Sequence, residues 1–184
     1  MTIKIACVFL VFFVGPILTA QNSANRGDTP AWIVTTMSEE AGMTRSLPSS
    51  GYLRELYRDV SVNDCKLRYT AILHNSFTEL TVTDRVSVPL DKDTAVSGIH
   101  DYVEGAIDDY AVEISRASKT ITIQRTKESG GHIESKEVLN TGVTHIIFGK
   151  PKPERGDIVS RTQKELTPAI QLCSEPTSKK RLSP

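Results

Sequence analysis

Net charge is the first thing missing. The 184 residues carry 22 Lys and Arg against 22 Asp and Glu. Electrostatic binding to nucleic acid needs a clustered positive face. The local basic run, Lys179-Lys180-Arg181, lies in a Ser- and Pro-rich end that reads as a solvated tail. Nucleic acid is therefore not an expected partner. Long apolar runs are missing beyond residue 18, where nothing reaches the ~20 residues a spanning helix needs. Cysteine is scarce, with Cys7, Cys65 and Cys173 the full complement. Neither Cys65 nor Cys173 has a second Cys or a His at ligand spacing, which argues against a metal site built on them. The sequence also lacks G-x-S-x-G, H-x-H, H-E-x-x-H, an EF-hand pattern and a glycine-rich phosphate loop. No catalytic residue, metal ligand or cofactor is therefore expected.

What is present begins with an export signal. Met1 to Lys4 carry one positive charge, Ile5 to Leu18 are apolar apart from Gly15-Pro16, and Thr19-Ala20 precede a polar stretch. These are the parts of a secretory signal peptide, expected over residues 1–20 with cleavage before Gln21. Cys7 leaves with it. The two remaining cysteines, in an oxidising compartment, predict a disulfide between Cys65 and Cys173; two buried, unlinked thiols are the alternative. The protein is expected to be secreted or periplasmic and not membrane-spanning after processing.

Residues 21–51 read as a flexible leader and loop. Within them Ala31 to Thr36 is β-prone, a short strand or docking segment, and 38–51 is rich in Ser, Glu, Gly and Pro. One domain is expected over 52–174, and a disordered tail over 175–184. Tyr52 to Tyr57 offers a helical turn or two, with Leu53, Leu56 and Tyr57 at i, i+3 and i+4. From Asp59 the period becomes two. Leu67, Tyr69, Ala71 and Leu73 alternate with Lys66, Arg68, Thr70 and Ile72. Val86 and Val88 alternate with Arg85 and Ser87, and Ile121 and Ile123 with Thr122 and Gln124. Val60, Val62, Leu80, Val82, Val112, Ile114, Ile146 and Phe148 extend the series. Such alternation means an antiparallel sheet with one buried and one wet face. Ser129-Gly130-Gly131 marks a hairpin. Residues 90–109 are acidic and ambiguous: a loop, a strand at 94–97, or a helical turn around Tyr102 to Ile107. After Pro151 and Pro153, Asp157 is placed to cap a helix whose stripe is Ile158, Thr162, Leu166, Ala169 and Cys173, widened by Val159, Ile170 and Leu172. Pro168 should kink that helix or start a second one.

Two segments carry a resemblance. The strand entry Asp59-Val-Ser-Val-Asn-Asp-Cys65 and the terminal segment Val159-Ser-Arg-Thr-Gln-Lys-Glu-Leu-Thr-Pro-Ala-Ile-Gln-Leu-Cys173 resemble secreted domains of soil bacteria of the acidobacterial type. The resemblance covers residues 58–174. It implies a fold similar to the pleckstrin-homology-like barrel, a bent antiparallel sheet plugged by a C-terminal helix. The expected class is thus mainly β with a C-terminal helix (α+β), as a bent sheet or barrel. It carries over no catalytic residue.

The remaining chemistry is sparse. His74, His100, His132 and His145 read as surface or strand-edge residues; His100-Asp101 is a conceivable weak metal site. Asp91, Asp93, Glu104, Asp108 and Asp109 read as an acidic solvated loop. Two function classes follow: an exported non-catalytic module that binds a peptide, a lipid or an envelope component, or a small secreted enzyme with a site assembled from loops.

Overall fold

The structure is a computed structural model, describing residues 31–47, 50–103, 108–149 and 153–174, without the side chains of 31, 32, 99–103, 108, 109 and 153–156. The signal segment, residues 21–30, the tail and residues 104–107 fall outside the described residues; of the three alternatives for 90–109 the strand is found, longer than 94–97, and Tyr102 and Val103 belong to it and not to a helical turn. Two helices and nine strands follow in order: α1 (Ala31–Glu39), β1 (Gly42–Ser46), β2 (Tyr52–Asn63), β3 (Lys66–Asn75), β4 (Leu80–Pro89), β5 (Thr94–Val103), β6 (Asp108–Arg116), β7 (Ile121–Ser129), β8 (His132–Thr141), β9 (Val143–Ile147) and α2 (Pro153–Ser174).

The strands form two antiparallel sheets, β1-β2-β3-β4-β7-β8 and β5-β6-β9. The fold is α+β, as the alternation predicts. The closed-barrel alternative is not adopted among the described strands. The reason is the β7–β8 hairpin, which returns to β4 and extends the first sheet. Gly130 and Gly131 make its turn, both at positive φ, as the Gly-Gly pair predicts.

The core is shared by both sheets and both helices. Tyr57, Val60, Leu67, Tyr69, Val86, Val88, Val112, Ile114, Ile121 and Ile146 are buried in one cluster. Most are the apolar halves of the sequence alternations. A smaller cluster joins Met43, Ala111 and Ile147 with Leu53 and Leu73. The two tyrosines bring their hydroxyls inside. Tyr69 Oη bonds Thr144 Oγ1 at 2.8 Å. Tyr57 Oη donates to Glu55 at 2.7 Å and accepts from the Ile147 N–H at 3.0 Å. Burial pushes both phenols well above their ordinary pKa.

Three expectations in residues 31–57 are corrected. Ala31–Glu39 is a helix, not a strand, because Ile33, Thr36 and Met37 bury one face against the core; that packing outweighs the β-branched propensity of Ile33, Val34, Thr35 and Thr36. The expected loop at 38–51 contains β1, where Met43 and Arg45 are buried and Thr44 and Ser46 exposed. Gly42 permits its approach, since a Cβ there would collide with the Glu55 carbonyl. Tyr52–Asn63 is a strand and not helical turns. Glu55 hides its alternation by occupying an inward position that the Tyr57 hydroxyl makes acceptable. Part of the expected leader is thus integral to the core.

β2 carries a bulge. Its register with β3 shifts between Arg58 and Ser61, and Asp59 sits at φ 53°. The extra residue turns Val60 into the core and Asp59 outward. The turn from β2 to β3 is the two-residue pair Asp64-Cys65, both at positive φ, closing on the Asn63–Lys66 pair.

α2 packs on β5 and β6. Val159, Thr162 and Leu166 are fully buried, and Ile158, Ala169, Ile170 and Cys173 are half-buried against the core. Leu172, expected in the stripe, is 43% exposed. The helix starts four residues before Asp157, with Pro153 in the first position, where its missing N–H costs nothing. It runs through Pro168 as one element. Pro168 and Lys164, whose carbonyl loses its partner, are both exposed, so the freed acceptor lies on the solvent side of the helix and no second helix is needed. Cys173 reaches back to the β2–β3 turn and is bonded to Cys65 with Cα atoms 5.6 Å apart. The predicted disulfide is present.

Candidate functional site

The two faces of the six-stranded sheet differ sharply. The helices and the second sheet cover one over β2, β3, β4 and the start of β7, while β8 is exposed on both sides from His132 to Val138. The other face displays the polar halves of the alternations, aligned across strands by the register. One row runs Ser61, Arg68, Ser87, Thr122 and Asn140. The next runs Arg58, Thr70, Arg85, Gln124 and Val138. Paired residues point to the same side.

These rows enclose a shallow, open trough of about 450 Å³. Its walls include Asp59, Arg68, Thr70, Arg85, Ser87 and Gln124, while Tyr69 and Val86, whose side chains are buried on the other face, give backbone to the floor. The β2 bulge shapes one end. Asp59 Oδ2 accepts the Thr70 hydroxyl at 3.1 Å, a bond that fixes the buried Thr70. Arg68 reaches only a long contact, 3.4 Å, to the Asn63 carbonyl. Among the described residues neither Arg68 nor Arg85 has a salt bridge to a carboxylate. The trough therefore presents guanidinium groups, hydroxyls and an amide to water.

The cations elsewhere are engaged differently. Arg116, 6% exposed, donates to Asp91, the Pro89 carbonyl, Thr94 and Thr120. It pins the Pro89–Thr94 turn to β6, and its hydrogen bonds hold the Asp91 carboxyl below its usual range. Arg125 forms a bidentate pair with Asp84 at 2.8 and 2.7 Å, linking β7 to β4, and this pairing raises its pKa. Both have the geometry of struts.

Among the described residues, the histidines singled out in the sequence are dispersed. His74 Nδ1 bonds Thr81 Oγ1 and its ring lies against Tyr52. His145 lies 3.3 Å from Glu113, and His132 is exposed beside the β7–β8 turn. The side chains of His100, Asp101, Glu104, Asp108 and Asp109 lie outside the described residues. Asp91 is Arg116's partner, and its Oδ1 accepts the Asp93 N–H. Among the described residues, no three His, Cys, Asp or Glu side chains gather as a metal site would require. No described helix is long and apolar enough to cross a membrane. The trough residues were visible in the sequence only as the wet half of an alternation. Their signal was the arginine in each of three successive wet faces, Arg58, Arg68 and Arg85.

Compared with family models, curated proteins and solved structures, the chain matches none.

Proposed function

We propose that this protein is an exported, non-catalytic interaction module that binds its ligand on the open polar face of the six-stranded sheet. The observation that carries this reading is the trough itself. It is shallow and wet, and backbone pairing on both sides of β3, β4 and β7 stiffens its floor. A rigid sheet with exposed, weakly engaged polar side chains suits recognition better than chemistry that must exclude water. Export is supported by the apolar segment 5–18 and by the Cys65–Cys173 bridge, a bond that persists in oxidising compartments. The resemblance of residues 58–174 to secreted bacterial domains points the same way.

Immobilised protein exposed to native envelope extract or culture medium tests the proposal. A bound ligand eluted by salt should have the same mass before and after prolonged contact. A ligand returned cleaved or otherwise altered would make the protein an enzyme. Intact mass of the exported chain should show loss of residues 1–20; a chain retaining them in the envelope would overturn the export reading.

A further inference from the structure

We infer that the trough binds an acidic polysaccharide, with Arg68 and Arg85 holding its charged groups. This rests on the proposal that the sheet face is the binding surface, and it adds the ligand class.

The reasoning begins with what a sheet face can offer. The backbone groups of β3, β4 and β7 are consumed by neighbouring strands. A peptide adding itself as a strand needs an open edge, and this site is central. Recognition must come from side chains alone. Apart from the Asp59 carboxylate, which the buried Thr70 hydroxyl engages, those present are guanidinium, hydroxyl and amide groups: Arg68, Arg85, Ser61, Ser87, Thr122 and Gln124. Guanidinium forks match carboxylate or sulfate oxygens in pairs. Hydroxyl and amide groups both donate and accept, as sugar hydroxyls do. No exposed aromatic or long aliphatic side chain lines the trough to take an acyl chain. Of the large exposed apolar residues, Phe77 lies in a turn and Ile133 at the start of β8, both away from it, while Val138 ends the Arg85 row on β8 without lining the trough. An extended polymer with one anionic group and several hydroxyls per unit satisfies this set.

The spacing fits such a polymer. Arg68 lies opposite Ser87, two positions along β4 from Arg85. Diagonal neighbours of this kind stand about 7–8 Å apart, and the long side chains span the difference to charges on nearby units. Arg58, opposite Thr70 in the next row, extends the positive charge toward β2. Asp59 is the opposing charge. It is held in place by Thr70, so it repels an anion at that end and orients the chain away from it.

The test is titration calorimetry of the full exported chain with polygalacturonate oligomers, alongside uncharged dextran oligomers and vesicles of anionic phospholipid. The uronate should bind, weaken with rising salt, and exceed dextran by at least tenfold. R68Q and R85Q should each weaken it by about tenfold, the effect of losing one charged hydrogen-bonding partner, with melting temperature unchanged. Asp59→Asn, which keeps an acceptor for Thr70 and removes the negative charge, should strengthen it. Equal binding of dextran, preferential binding of the vesicles, no binding of uronate, or uronate binding indifferent to both arginines would each overturn the inference. If a ligand captured from the envelope still binds R68Q/R85Q protein unaltered, the interaction module stands and the acidic-glycan assignment falls.

Discussion

Breaking the Cys65–Cys173 bond should cost this protein a large part of its stability without dismantling its fold. The bond spans 108 residues of sequence, nearly everything from the β2–β3 turn to the last turn of α2. In the chain-entropy treatment, a closed loop of ~100 residues restricts the unfolded chain by about 4.7 kcal/mol, and measured values are often smaller. Typical domains hold only ~5–15 kcal/mol. With an unfolding entropy of ~2.1 cal/mol/K per residue, the roughly 140 residues from Ala31 to Ser174 convert half to all of that into a drop of roughly 7–15 °C. The assay is calorimetry of oxidised protein against Cys65→Ser/Cys173→Ser. Cys65 adds a second term. It occupies φ 54° beside Asp64 at φ 50°, a left-handed conformation that costs a residue with a Cβ roughly 1–2 kcal/mol. Glycine pays no such penalty. Cys65→Gly/Cys173→Ser should therefore melt a few degrees above Cys65→Ser/Cys173→Ser, although both lack the bond. A disulfide-free variant melting within about 2 °C of wild type, or a glycine variant less stable than the serine one, would refute the reasoning.

Other outcomes follow from the interior. The Asp91 carboxyl has a lowered folded pKa, so its contribution is present above the unfolded value of about 3.9 and is lost as pH falls through the folded one. Asp91→Asn should destabilise the protein at pH 7, with the gap to wild type closing in melts taken below pH 4. Tyr57 and Tyr69 have raised folded pKa values, so their contribution is intact below about pH 10 and is lost as pH rises toward those values. Spectrophotometric titration should show two phenols that ionise only with unfolding. A Cβ at Gly98 would stand 2.9 Å from Val159 Cγ1. Gly98→Ala should cost about 1–3 kcal/mol by overpacking β5 against α2, and Val159→Ala in the same chain should recover part of it in chemical denaturation.

The β alternation from Asp59 onward was legible because both halves of it obey simple physics. Leu67 and Tyr69 went inside while Lys66 and Arg68 kept to the outer side, and the same holds for Val86 and Val88 against Arg85 and Ser87; Thr70 is outward too but buried, held by Asp59. The terminal helix and its disulfide were legible for the same reason, since Val159, Thr162, Leu166 and Cys173 recur on one helical face. Local reading failed where tertiary contacts decide. α1 is a helix because Ile33 and Met37 find the core, not because Ile33-Val34-Thr35-Thr36 favours one. β2 was obscured by Glu55 in an inward position and by a bulge that reverses the inside-outside order at Asp59 and Val60. The trough was invisible for a different reason. Wet residues on separate strands carry no mark of adjacency in sequence, and only the register sets Arg68 beside Ser87 and Thr70 beside Arg85.

The bulge connects the core to the trough. Without the extra residue, Asp59 would keep the inward parity of Leu53, Glu55 and Tyr57, and the core would receive a carboxylate where it now has Val60. An unpaired charge there would be far costlier than the strain of one left-handed residue. The bulge answers the demand of the core, and its by-product is an anchored carboxylate at the edge of the arginine rows. The same step also returns Ser61 to the outer face opposite Arg68, lengthening the polar row by one strand. The shape and charge gradient of the trough are therefore set by a packing requirement on the other side of the sheet. Changes that straighten β2 should alter the core and the trough together, whereas changes to Arg68 or Arg85 should touch the trough alone.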